Sequence, residues 1–369
     1  MNASRLRFVL VIIALLACTQ SYSRADAGAR VFLPFVAHHL QKKVAFSARG
    51  VTGYDIWIIN DDGSGRVRLT ATEEDERYPA WSPDGAKLAY AYYLDGNWDI
   101  YTINTDGSHA MRLTSHPRPD VRPQWSPDGS KILFESQGDP YWNTWDIYVM
   151  DADGSHQRNL THDPWDDVEA SWSPDGARIL FLSNRRQHGA YYDIYVMNAD
   201  GSNQMCLTEG WTGSFGSASW LDNDTIGFER CEAPYGHLCN IWTVKADGTG
   251  WTRISNYSTP WSATNPQWSP DRTRVIFKLF ETPEGNFLPR GLYVMNADGT
   301  DVSCLIPPAW IGFCQWWRDG SKVVFRWLLG NDWNIYSVAL DGSGRIDKLF
   351  ALMEENAGIS EIESIVWQP

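Results

Sequence analysis

From about Lys43 onward the hydrophobic positions come in short runs, rich in aromatic and β-branched side chains and interleaved with polar ones. KILFES (Lys131 to Ser136) is followed by DIYVMDADG (Asp146 to Gly154) and QRNLT (Gln157 to Thr161). Gly, Pro and Asp bound each run. Short alternating runs between turn formers predict strands, not helices.

Two punctuators recur. The first is a tryptophan opening a tight turn, as WSPDG at Trp81, Trp125 and Trp172, then as WLDND from Trp220, WSPDR from Trp268 and WWRDG from Trp316; a last copy opens at Trp367. These tryptophans stand about 44 to 51 residues apart by subtraction, a period that marks a propeller or solenoid. The turn chemistry fits a hairpin: Pro presets φ near −65°, Asp bonds its own backbone and Gly supplies a left-handed exit. The second punctuator is Asp-Gly, from Asp62-Gly63 through Asp153-Gly154 to Asp341-Gly342, a strong hairpin signal between strand-like runs.

Each unit therefore reads as a four-stranded antiparallel meander: a (ending at the Trp), b (KILFES-like), c (DIYVMN-like) and d (RLT-like). Seven c strands are present, from Asp55–Asn60 to Asn334–Ala339. The first unit begins at its b strand, KVAFSAR (Lys43 to Arg49), while residues 363–367 supply an a strand and little more. Lending that last strand to the first unit closes a ring and removes both exposed edges. The expectation is an all-β, seven-bladed propeller over 43–369, preceded by a signal and tether start at 1–27 and a linker at 28–42, with a monomer as the assembly.

WSPDG, DIYVMNADG and RLT, in this order, resemble the TolB-type, WD40-like propeller repeats, and the resemblance covers nearly everything from Lys43 to Pro369. It differs from TolB itself in having no N-terminal α/β domain before the blades and seven units where TolB has six. Prolyl-oligopeptidase-like and tricorn-like peptidases use similar propellers as accessory domains, and the resemblance implies no catalytic partner here.

Net charge is −14, and no Lys/Arg run appears outside the N-terminus, which argues against a nucleic-acid backbone as partner. Arg5 and Arg7 precede an apolar run, Phe8 to Ala17, shaped like a secretory signal. Two maturation routes are open: Leu15-Leu16-Ala17-Cys18 resembles a lipobox that would lipidate Cys18, and Ala25-Asp26-Ala27 is an A-x-A cleavage site. Either places the protein in the cell envelope or outside the cell, with a membrane contact only through that anchor. Export permits disulfides. Cys231 and Cys239 stand at the mouth of one b-to-c hairpin and are expected to pair. Cys304 and Cys314 flank a d-to-a crossing and are a weaker pair, and Cys206 is expected to be a buried thiol.

Strand direction alternates, so a-to-b and c-to-d turns share one uniform face and the b-to-c and d-to-a loops share a variable one. The variable loops are full of tryptophan: Trp98, Trp142, Trp145, Trp165, Trp211, Trp261, Trp310 and Trp333. Aromatic loops on a rigid scaffold suit recognition of a protein or carbohydrate. The competing reading packs several of them between blades. His116, His162, His188 and His237 also fall on this face and are the transition-metal candidates, since the resemblance includes propeller lyases that gather a metal from scattered histidines. Asp163, Asp166, Asp167 and Glu169 are the calcium candidates. No G-x-S-x-G or H-E-x-x-H is present. The leading expectation is an exported non-catalytic binding propeller with no resident cofactor; the alternative is a metal-assisted lyase or hydrolase in the central funnel.

Overall fold

The WSPDG turns are held by their own side chains. In the turn after Trp125, Ser126 Oγ donates to Asp128 Oδ1 at 2.6 Å and accepts from the Lys131 amide at 2.9 Å. Asp128 Oδ1 also accepts the Ser130 amide at 3.0 Å, and the Gly129 amide, at φ 72°, reaches the Ser126 carbonyl at 2.9 Å. Those hydrogen bonds, Ser126 foremost, pull the Asp128 carboxyl down to about 2. The same bonds recur at Ser82/Asp84, Ser173/Asp175 and Ser269/Asp271. The turn tolerates departures, with Arg272 left-handed at φ 64° in the glycine position and the Gly320 amide still reaching the Trp317 carbonyl at 2.8 Å.

The computed structural model describes residues 42–369 except 51, 62–63, 139–142, 187–190, 233–237, 283–287, 330–331 and 349–360. The expected signal and tether at 1–27, with Cys18, and the linker up to 41 lie outside the described residues. Seven four-stranded antiparallel sheets follow one another. Blade 1 orders Glu361–Trp367, Lys43–Arg49, Tyr54–Asn60 and Val67–Arg68; blades 2 to 7 span 76–112, 120–159, 167–206, 214–253, 261–306 and 311–348. No helix occurs among the described residues. The outer d strands are two to four residues long, which leaves little edge for another chain to pair with.

Hydrophobic alternation sets the core. The fourth residue of each strand b is Phe46, Tyr90, Phe134, Phe181, Phe228, Phe277 or Phe325, and all seven are buried. They pack between blades, as where Leu180, Leu182 and Ile194 of blade 4 meet Phe215 and Phe228 of blade 5. The repeated tryptophans stitch blades together: Trp81, Trp220 and Trp316 donate from Nε1 to the carbonyls of Val366, Ser171 and Gln267. Trp268 lies so close to Gly227 that a Cβ there would meet its ring at 2.2 Å, so only glycine fits that strand position.

DIY and RLT are one device. Asp99 accepts Arg112 at 2.6 Å, and Thr114 Oγ1, facing the same carboxylate, takes the Ile100 amide at 2.9 Å. Asp55 with Arg68 and Thr70, and Asp193 with Thr208, repeat it. Ring closure is equally specific: Val44 pairs with Trp367 and Phe46 with Ile365, and Gln368 bonds the Lys43 backbone at both ends, at 2.9 and 3.1 Å.

Each inner strand of blades 2 to 6 bulges three residues before its tryptophan, with Tyr78, Arg122, Glu169, Ser217 and Asn265 at φ between 49° and 56°. A left-handed conformation is costly for such side chains, and the bulge re-aims them.

Candidate functional site

A cavity of about 800 Å³ opens on the variable face across blades 2, 3 and 4. Trp98 and Trp145 line it, joined by Tyr78, Tyr192, Arg77, Arg122, Glu135, Asp166 and Glu169. Inner-strand bulges supply Tyr78, Arg122 and Glu169, and the start of strand c, or the residue or two just before it, supplies Trp98, Trp145 and Tyr192. Glu135 comes from the end of strand b and is buried; it accepts the Glu169 amide at 2.7 Å across the blade boundary and Arg122 at 3.3 Å. Burial pushes its carboxyl up, against the pull of Arg122. Arg77 is committed as well, with its guanidinium 4.0 Å from the Tyr54 ring and ion-paired to Asp75 at 2.9 Å.

The other tryptophans divide. Trp211 is half-buried: it stacks on Trp251 at 4.5 Å and 13°, meets Trp242 edge-on, and has Arg230 at 4.4 Å from its ring, beside the core shared by blades 4 and 5. Trp165 is half-buried and is not in the cavity wall. Trp261 and Trp310 are exposed on blade 6 and the crossing after it, at 37 and 52%, with Arg290 over the first and Phe280 beside the second. Trp142 and the side chain of Trp333 lie outside what the structure describes.

The cavity residues absent from the sequence expectation are Arg77, Tyr78, Arg122, Glu135 and Tyr192, and Glu169 was expected only as a calcium ligand. One signal was available. With the repeats aligned on their tryptophans, the position three before Trp reads Tyr78, Arg122, Glu169, Ser217 and Asn265, and the position after the buried Phe or Tyr reads Ser47, Ala91, Glu135, Leu182, Glu229, Lys278 and Arg326. Chemistry that changes from unit to unit on an otherwise constant frame marks a lining.

Two of the four candidate histidines and all four candidate acids fall among the described residues. His116 is half-buried, its Nδ1 accepting the Arg118 amide at 3.2 Å, and His162 is exposed. His188 and His237 lie outside the described residues. Among the described residues no three His, Cys, Asp or Glu side chains gather to hold a metal ion. Arg185 bridges Asp163 and Asp167 at 2.8 Å each, and Asp166 receives the Trp145 amide at 3.0 Å. The expected calcium cluster is thus divided among separate tasks. Cys231 and Cys239 face each other across the b–c hairpin of blade 5 in a disulfide. Cys304 and Cys314 do not pair: Cys304 is exposed, Cys314 is buried, and both are free thiols. Cys206 is half-buried, and burial raises its thiol.

Three buried acids begin the inner strands around the cavity. Glu76 is pushed up to about 7 and Asp120 to about 6, in both cases by burial first, and Asp167 is raised by burial with Asp163 beside it. The folded protein then keeps protons that the unfolded chain has released, so stability is greatest at low pH within this window and falls as pH rises through the folded values. The turn aspartates titrate far lower and do not oppose this above pH 5. Stability by urea unfolding should drop by on the order of 1–3 kcal/mol between pH 5 and 7.5. Glu76→Gln with Asp120→Asn should flatten that slope; an unchanged slope would show that these carboxyls are not its source.

The sequence matches the tricorn protease N-terminal beta propeller domain over residues 33–144 and 99–230, more than half of the chain. No relative is found among curated protein sequences. Among solved structures, an oligogalacturonate lyase in complex with manganese superposes with a TM-score of 0.60 at 15% identity, covering 84% of this chain and 85% of its own. The β-propeller domain of the Trilobed protease from Pyrococcus furiosus gives 0.58 at 16%, covering 80 and 86%. TolB from Acinetobacter baumannii gives 0.49 at 24%, covering 70% of this chain; the chain spans 62% of TolB's length. At these identities the likeness is one of fold.

Proposed function

The chain belongs to the family of the tricorn protease N-terminal β-propeller domain, and on that premise we propose that it is an exported, non-catalytic binding propeller that recognises a protein or glycan ligand in the cavity across blades 2 to 4. One observation carries the reading: Trp98 and Trp145, with Tyr78 and Tyr192, wall a space of ligand size in which charged groups converge. Aromatic walls contribute large contact area with little side-chain entropy to lose, whether the ligand offers a sugar face or a peptide side chain. The blades around them are rigid, cross-stitched by buried tryptophans and closed by the last strand.

Export is supported by the Cys231–Cys239 disulfide, since such bonds persist in oxidising compartments, and by the apolar run from Phe8 to Ala17. A metal-assisted lyase in the funnel is the alternative. It would need the four loop histidines to converge, and the likeness to the manganese-bound lyase extends only to fold.

The test is a screen of glycans and cell-envelope proteins against the purified propeller, with and without Mn²⁺. Trp98→Ala and Trp145→Ala together should weaken a hit by about 10- to 100-fold, the loss of two aromatic contacts. A hit indifferent to this pair would move the site elsewhere, and turnover appearing only with Mn²⁺ would favour the lyase.

A further inference from the structure

The charges of the cavity do not cancel. Arg77 is paired with Asp75 and Arg122 with Glu135, which uses both cations of the wall. Among the described residues Asp166 is satisfied by neutral donors alone, the Trp145 amide at 3.0 Å and Asn184 at 3.4 Å. Glu169 is exposed, and its carboxylate makes no hydrogen bond or ion pair among the described residues, although it is near enough to act on Arg122 through space. Two carboxylates are therefore left without a cation of their own, beside four aromatic rings.

A second group reports the same field. The Tyr192 phenol is raised first by burial and then by Asp166, Glu135, Glu169 and Asp167. Aromatic faces attract cations through their quadrupole, and a carboxylate at the rim strengthens the attraction in a partly desolvated space. The net charge of −14 adds a long-range pull of the same sign.

Resting on the binding reading above, we infer that the cavity recognises a basic side chain, lysine or arginine, presented by a protein segment, with Glu169 as the ion-pairing residue and Trp145 and Tyr192 as the aromatic walls. A peptide is favoured over an amino sugar because it extends beyond the cavity, whose wall includes the left-handed bulges Tyr78, Arg122 and Glu169. Flanking peptide would lie across the variable face, where Trp261 and Trp310 are also exposed.

The experiment titrates the whole protein with acetyl-Ala-Ala-Lys-Ala-Ala-amide, with the same peptide carrying acetyl-lysine, and with a glucosamine tetramer, followed by calorimetry. The lysine peptide should bind about tenfold or more tightly than the acetylated one, and added salt should narrow the gap. Glu169→Gln, an exposed change, should weaken the lysine peptide by about tenfold while leaving the acetylated peptide unmoved. Equal affinity of the two peptides, failure of the lysine peptide to bind, or a glucosamine tetramer binding tighter than the lysine peptide would each overturn the inference. None of these would touch the broader reading, which falls if a ligand found by the screen ignores Trp98→Ala and Trp145→Ala or if turnover appears with Mn²⁺.

Discussion

Deleting Glu361–Pro369 is expected to abolish cooperative unfolding. That strand is the inner strand of blade 1, paired with Val44–Arg49 through a single register shift between Ser47 and Ala48. Its loss removes buried Ile365, and with it Val366 and Trp367, which pack on the clusters of blade 1 and its neighbours. Trp317, 4.5 Å from the Trp367 ring, loses its partner, and Trp81 loses the Val366 carbonyl at 3.1 Å. Arg318 loses the Gln368 carbonyl at 2.8 Å. Burial of three large side chains alone contributes about 5–8 kcal/mol, comparable to the whole stability of an ordinary domain. Lys43–Arg49 would also become an open edge. Circular dichroism melts of the truncated protein should show no sharp transition, and the peptide 361–369 added in trans should restore one. A truncated protein that melts cooperatively within about 5 °C of the full chain would mean that the other six blades hold the ring without it.

Asp193→Ala should cost about 3–5 kcal/mol, as removal of one partner from a buried charged network does. Asp193 is fully buried; Arg186 grips it through two nitrogens at 2.9 and 2.7 Å, and Thr208 Oγ1 donates at 2.6 Å. Alanine would leave the Arg186 guanidinium with only the Trp211 carbonyl, at 2.9 Å. Trp211 is itself part of the aromatic stack between blades 4 and 5, so damage should spread to that boundary. Asp193→Asn should be milder, because blade 5 already uses that residue: Asn240 takes Ser255 Oγ at 3.0 Å and the Tyr257 amide at 2.8 Å, and Arg253 turns to backbone carbonyls instead. Urea unfolding of the two variants checks this; equal losses would show that shape, not charge pairing, sets the cost.

The same comparison explains what could be read in advance. A residue that bonds within its own unit leaves a local signature, so Ser126 with Asp128, or Asp99 with Thr114, is visible as a motif. Residues acting across blade boundaries leave a clear signature only where the contact itself repeats, as for Trp81, Trp220 and Trp316. Glu135 holds the Glu169 amide 34 positions away, and Trp211 meets Trp251 only because blades 4 and 5 are wedged together. Eight loop tryptophans looked equivalent in sequence; neighbours on adjacent blades made Trp98 and Trp145 cavity walls, Trp211 a packing residue, and Trp261 and Trp310 exposed surface. The cysteines divide likewise: Cys231 and Cys239 face each other on one hairpin, whereas Cys304 and Cys314 depend on a crossing that separates them.

The sequence by itself determined the seven blades, their strand order and the borrowed closing strand, because turn geometry and alternation act over a few residues and repeat. Only the tertiary structure decided where a ligand could sit. The packing of blades 2, 3 and 4 side by side brings the left-handed bulges of Tyr78, Arg122 and Glu169 beside Trp98 and Trp145, and leaves the carboxylates of Asp166 and Glu169 without cations among the described residues. That balance belongs to three blades at once, and no single repeat contains it.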